Sequence, residues 1–151
     1  MSYLVMASPV GALTLFEDEG ALVAVEWGTA PEGDSSPLLD EAKRQLDAYL
    51  DGRLRQFDLP LAPAGTSFQA RVWKAMSAIP YGQTRSYGEL AAELHSGARP
   101  IGTACGRNPL PIIVPCHRIL AAGGRLGGYS GGDGLPTKEW LLDLERRVSQ
   151  A

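Results

Sequence analysis

The chain has 151 residues with 44% hydrophobic content, enough for one compact unit or two small lobes. No apolar run approaches the roughly 18 residues that a membrane span needs. Residues 1–5 show no basic stretch ahead of a long apolar one, so no export signal is expected and the expected location is the cytoplasm. Two cysteines and two histidines lack structural-zinc spacing, and both thiols are expected to be reduced. The net charge of −3 argues against a nucleic-acid partner until its distribution is considered. Residues 1–65 hold 4 Lys/Arg against 11 Asp/Glu, whereas residues 66–151 hold 10 against 6. An acidic front and a basic back suit a chain whose C-terminal part meets phosphates.

In chain order, residues 3–27 alternate and break at turn residues. Strands are expected at residues 11–16 and 21–27, joined by a turn at residues 17–20. A polar loop covers residues 28–36. Leu38, Leu39, Ala42, Leu46, Tyr49 and Leu50 then recur at helical spacing until Gly52 stops the helix. Pro60, Pro63 and Gly65 mark a connector, dividing the chain into a lobe of residues 1–62 and a lobe of residues 66–151. In the second lobe, Thr66 or Ser67 caps a helix carrying Phe68, Val72, Trp73 and Met76 that ends near Pro80. Ser86 caps a helix over residues 87–94. A short turn with Gly97 leads to a helix over residues 98–107, the pattern of a helix-turn-helix. Residues 112–114 read as a short buried strand or extended segment. Proline at 115 cannot donate a ladder hydrogen bond, which puts Cys116 at the strand end. A glycine-rich loop, residues 123–132, precedes a last helix expected to start near Thr137. That helix carries Trp140, Leu141, Leu144 and Val148 on one side.

Chemistry centres on Cys116. A thiol after an apolar run is by default a small core residue; as a nucleophile it needs a base. His117 is adjacent, and adjacent side chains diverge in helix and strand. It therefore either packs or acts as base through a turn or a bridging water. Glu145 shares the apolar face of the last helix, four residues after Leu141. There an acid is costly unless paired, and a histidine whose tautomer it fixes is a natural partner. The glycine loop lacks a Walker ending, yet its glycines let a planar group approach closely. Within it, Tyr129 could stack on a base and Ser130 hydrogen-bond one. Arg99 opens the second helix of the helix-turn-helix. Gly102, Ala104 and Gly106 keep that helix slim, either for packing or for a narrow groove.

The run Ile112-Ile113-Val114-Pro115-Cys116-His117-Arg118-Ile119 resembles the active-site motif of the O6-alkylguanine-DNA alkyltransferases. Further blocks follow the family's order and spacing: Val72-Trp73, Ile79-Pro80-Tyr81-Gly82, Ser86-Tyr87-Gly88-Glu89-Leu90-Ala91, Gly106-Arg107-Asn108-Pro109, Gly128-Tyr129-Ser130-Gly131-Gly132 and Lys138-Glu139-Trp140-Leu141-Leu142. The resemblance implies an α/β (α+β) protein. Its N-terminal lobe would be a small RNase H-like sheet with a helix, and its C-terminal lobe a mainly helical winged helix-turn-helix. Cys116 would then be the alkyl acceptor, with His117 its base through a water and Glu145 orienting His117. Asn108 would hold the turn before the active site, and Tyr87 would turn the nucleotide out and donate to the base. Tyr129, Ser130 and Val114 would line the base pocket. Arg99, Tyr87, Gly102 and Arg107 would meet double-stranded DNA carrying alkylated bases, from the minor groove.

On that resemblance the protein is a single-turnover repair protein. It takes the alkyl group of O6-alkylguanine, with O4-alkylthymine a second candidate substrate. It is expected to act as a monomer, with cooperative binding along DNA as the alternative, and to need no metal or cofactor. Two departures stand out. The zinc ligands that some members carry in the N-terminal domain are absent, and there is extra length at residues 133–136. Two competing readings are a lesion-binding module without transfer, which the presence of Cys116 opposes, and a cysteine hydrolase, which the adjacency of Cys116 and His117 opposes.

Overall fold

The computed structural model describes residues 1–150 and divides the chain into two compact units, one ending at Ala64 and one beginning at Gly65. The first unit is an antiparallel sheet in the order β1 (Ser2–Met6), β2 (Leu13–Asp18), β3 (Ala21–Trp27). β2 begins two residues later than its alternation suggests. Gly11 adopts φ +103° and its amide closes a turn on the Ser8 carbonyl, which takes it out of the ladder. The β2–β3 turn is the pair Glu19 and Gly20, both at positive φ, the backbone twist that a two-residue hairpin favours. A helix α1 (Pro37–Leu50) is capped by Ser36, whose hydroxyl accepts from the Leu39 amide, with Pro37 in the first turn. Its buried face of Leu39, Ala42, Leu46 and Tyr49 packs on the sheet, where Met6, Leu13, Leu15 and Val25 complete the core. Each fully buried Leu, Val or Met side chain among them contributes roughly 1.5–3 kcal/mol.

The second unit opens with α2 (Ser67–Ser77) and continues through β4 (Arg85–Ser86), α3 (Tyr87–Glu93) and α4 (Ala98–Gly106). Thr66 and Gln69 form a reciprocal capping box on α2, and Ser86 and Glu89 form one on α3, so each helix start is encoded four residues deep. Between α3 and α4 His95 turns at φ +53°, and the Ser96 amide closes on the Ala91 carbonyl. The buried Trp73 indole donates to the Ala104 carbonyl at 2.8 Å, tying α2 to α4. The last helix is α5 (Leu135–Ser149).

Two expectations are corrected. Residues 112–114 form no strand: they are a buried turn in which the Val114 amide bonds the Leu110 carbonyl and Ile112 takes φ +72°. The prolines at 109, 111 and 115 carry no amide proton, so a ladder could not run through them. Cys116 accordingly sits not at a strand end but at the start of a 3-10 turn, Cys116–Arg118. The strand comes afterwards: β5 (Ile119–Leu120) pairs parallel with β4. α5 also starts two residues before Thr137, with Gly134 at φ +78° as its cap and Pro136 in the first turn. Part of the extra length at residues 133–136 is therefore helix. Thr137 instead braces the loop, its hydroxyl accepting from the Asp133 amide at 2.9 Å.

Candidate active site

The 3-10 turn brings Cys116, His117 and Arg118 out of the chain in three different directions, and each meets a different partner. The Cys116 amide bonds the Val114 carbonyl at 2.9 Å. Asn108 stands over the same turn. Its side-chain amide donates to the Val114 carbonyl at 2.8 Å and lies 3.6 Å from Cys116 Sγ, while its oxygen accepts from the Leu110 amide at 2.9 Å. Burial pushes the Cys116 thiol up, and the Asn108 donor and the nearby Lys138 ammonium offset part of that rise. At rest the group is a thiol whose anion already has a donor and a cation at hand.

His117 is fully buried. Its Nε2 lies 2.7 Å from Glu145 Oε2, the pairing that the apolar-face position of Glu145 called for. Glu145 is only 1% exposed and is held by more than the histidine. Arg118 clamps both its oxygens, Nε to Oε1 at 2.8 Å and Nη2 to Oε2 at 3.0 Å, and the Gly82 amide adds a bond to Oε1 at 3.0 Å. Burial alone would raise this carboxyl, but the His117 and Arg118 bonds and charges outweigh it and hold the group at about 2. His117 shifts downward: burial lowers it most, Glu145 opposes, and Arg118 and Lys138 add to the lowering. Gly82 is at φ +79° and has no room for a side chain, since a Cβ would strike Ser149 Oγ.

Lys138, on α5, is fully buried too. Its ammonium donates to the carbonyls of Ile119 (2.6 Å), Leu126 and Gly128 (3.3 Å). It thereby ties the glycine loop to the segment that follows Cys116. Against that loop lies Tyr87, half-buried at the start of α3; a Cβ on Gly127, itself at φ +70°, would press on its ring. Burial raises the Tyr87 phenol to about 12, with Cys105 and Cys116 adding to the rise. Tyr129 is half-buried and its phenol is also raised, by burial and then by Cys116, whereas Ser130 is exposed. Val114 is buried, and its carbonyl is engaged by the Asn108 side chain and the Cys116 amide. Tyr87, Tyr129 and Lys138 each feel the charge of Cys116, so all three lie within reach of the thiol. Cys105 is a free thiol, as is Cys116, and its Sγ lies 3.5 Å from Met76 Sδ.

Arg99, Arg107, Thr103 and Gly106 are exposed along α4. Gly102 and Gly106 have no atom within 4 Å of where a Cβ would stand, so internal packing does not account for either glycine. Sequence reasoning passed over Arg118, Lys138 and Gly82. Lys138 had a signal: it lies seven residues before Glu145, with Leu141 and Leu142 between at helical spacing, and so shares the buried face.

Both units of the chain match domains of known proteins. Residues 67–147 match the model of the 6-O-methylguanine DNA methyltransferase DNA-binding domain, and residues 1–63 that of the same family's ribonuclease-like domain. A methylated-DNA--protein-cysteine methyltransferase of Methanosarcina acetivorans is 44% identical, the alignment covering 96% of this chain and 98% of the relative. One of Mycolicibacterium paratuberculosis is 41% identical over 100% and 96%. The crystal structure of Mycobacterium tuberculosis OGT in complex with DNA superposes with a TM-score of 0.86 at 44% identity, covering 97% of this chain and 93% of that one. With both units matched, each by a different domain of one family, the chain belongs to the 6-O-methylguanine DNA methyltransferases.

Proposed function

We propose that this protein is a single-turnover DNA-repair alkyltransferase that moves the alkyl group of O6-alkylguanine in DNA to its own Cys116 sulfur. The observation that carries the reading is the buried line from Glu145 through His117 to the turn that presents Cys116. Glu145 engages Nε2 of His117, which leaves proton acceptance to Nδ1. The Cys116 proton passes to that nitrogen through a water, and sulfur attacks the alkyl carbon in line with the C–O6 bond. The bond's electron pair stays with guanine, whose developing charge accepts a hydrogen bond from the Tyr87 phenol, a group that burial keeps protonated, and the proton that His117 took from Cys116 balances the departing base. A thioether is neither electrophilic nor hydrolysable under these conditions, so Cys116 is consumed.

An alkyl carbon inside a stacked duplex is out of reach, so the base must be flipped into the pocket. Tyr129, Ser130 and Val114 are assigned to that pocket, whose loop Lys138 braces. Arg99, Tyr87, Gly102 and Arg107 are assigned to double-stranded DNA approached from the minor groove, since α4 offers a narrow face with basic residues at both ends. The protein acts as a monomer in the cytoplasm, a reducing compartment suited to its free thiols. Mass spectrometry after mixing with a duplex carrying O6-methylguanine tests the reading. One methyl group per protein, on the peptide containing Cys116, is expected; many turnovers, or no adduct there, would refute it.

A further inference from the structure

Among the described residues Arg118 is the one buried cation hydrogen-bonded to the His117–Glu145 pair, and the transfer chemistry proposed above leaves it without a task. Each of its three guanidinium nitrogens donates to a specific partner. Nε and Nη2 hold the two oxygens of Glu145, Nη1 donates to the Ile79 carbonyl at 2.8 Å, and the group lies 5.6 Å from the centre of the Tyr81 ring. Glu145 therefore has a full positive partner before His117 is considered. Its Oε2 is shared between Arg118 Nη2 and His117 Nε2, and its Oε1 between Arg118 Nε and the Gly82 amide.

A carboxylate that already has its countercharge does not need an imidazolium. It needs only a neutral N–H donor at the position 2.7 Å away. We propose that Arg118 is a positioning residue for the transfer: by compensating Glu145 it keeps His117 in the neutral Nε2–H form, with Nδ1 as the proton acceptor for Cys116. The inference rests on the alkyl-transfer reading and adds to it the protonation state from which the reaction starts.

The surrounding charges point the same way. From α5, Glu145 favours protonation of His117 while Lys138 opposes it; from its own turn Arg118 opposes it, and Cys116 is an uncharged thiol at rest. Burial opposes it most. Without Arg118, Glu145 would be a lone buried anion, and holding a proton on His117 would be its nearest compensation. The histidine would then hold its proton to higher pH and accept the thiol proton less readily at neutral pH.

The test uses the full chain and three readouts. Nitrogen-15 NMR of the wild type, with His117 assigned against His95→Gln, is expected to show a neutral Nε2–H imidazole at pH 7. Single-turnover methyl transfer from an O6-methylguanine duplex is then followed against pH. Arg118→Met is expected to move the acid limb upward by about 1 unit or more, in step with His117 in the spectra. Arg118→Lys, which keeps the charge and loses the fork, is expected to keep the wild-type limb while slowing transfer. An imidazolium or an Nδ1–H tautomer in the wild type overturns the assignment, as does an Arg118→Met limb that does not move. If Arg118→Met fails to fold, the wild-type tautomer and the Arg118→Lys profile decide. Normal transfer with the wrong tautomer refutes only the role of Arg118, whereas no methyl on wild-type Cys116 refutes the transfer reading itself.

Discussion

Asn108 and Val114 are joined across the active-site turn by a 2.8 Å hydrogen bond from the Asn108 amide to the Val114 carbonyl. The same side chain accepts from the Leu110 amide and reaches Cys116 Sγ, so one residue closes the turn at both ends and touches the acceptor. Asn108→Ala leaves the Leu110 amide without its partner and takes from the Val114 carbonyl one of its two donors, the Cys116 amide remaining. The expected cost is on the order of 1–3 kcal/mol in urea or thermal unfolding. Transfer should slow more than stability alone explains, because the thiolate loses a donor. Asn108→Asp tests the point separately: its oxygen still caps Leu110, while its charge faces the sulfur and should suppress transfer. A variant that unfolds like the wild type and transfers at the same rate would remove Asn108 from the site.

Glu145→Gln keeps the shape of the clamp and removes its charge. Arg118 would then be a buried cation with no anion, and a partner lost from such a pair costs roughly 3–5 kcal/mol. The amide can also present its NH2 group to His117 and favour the wrong tautomer. A drop of at least tenfold in the single-turnover rate is expected, together with the stability loss measured by denaturant titration.

Stability should fall on acidification in two stages. His117 is buried and shifted down, so the unfolded chain binds a proton there more readily than the folded one does. Its contribution is complete above the unfolded value near 6.5 and declines as pH falls through it. Glu145 drops from 4.5 to about 2 on folding, so its contribution is complete above about 4.5 and is lost as pH falls toward 2. Midpoints of thermal unfolding from pH 8 to pH 3 should therefore decline from about pH 6.5 downward and steepen below about 4.5. In His117→Gln the upper stage should vanish; its persistence there would assign that stage to another group.

The parts of this molecule that were legible beforehand are those governed by local rules. The capping boxes at Thr66 and Ser86 and the buried face of α1 follow from spacing and side-chain chemistry within one turn. The pairing of Glu145 with His117 was legible because an acid on an apolar face demands a partner. What was not legible depends on the chain meeting itself. Residues 112–114 look like a strand because they are apolar and β-branched, yet Asn108 and three prolines bend them into a turn that holds Ile112 at positive φ. Arg118 and Lys138 look like surface cations until the carboxylate of Glu145 and the carbonyls of Ile119, Leu126 and Gly128 converge on them.

Gly102 separates folding from binding. In α4 it has helical neighbours on both sides and open space where a side chain would go. Gly102→Ala should therefore stabilise the protein by up to about 1 kcal/mol, since glycine is the poorer helix former and nothing inside the protein opposes the methyl group. If this face enters a narrow groove, bulk there should do the opposite to DNA affinity. Gly102→Leu should fold at least as well as the wild type, yet bind a duplex tenfold or more weakly, with methyl transfer to Cys116 slowed at subsaturating DNA and less affected at saturation. Arg99→Ala should weaken binding with a reduced dependence on salt, as the loss of a phosphate contact does. Full DNA affinity in Gly102→Leu would place the duplex on another face of the protein.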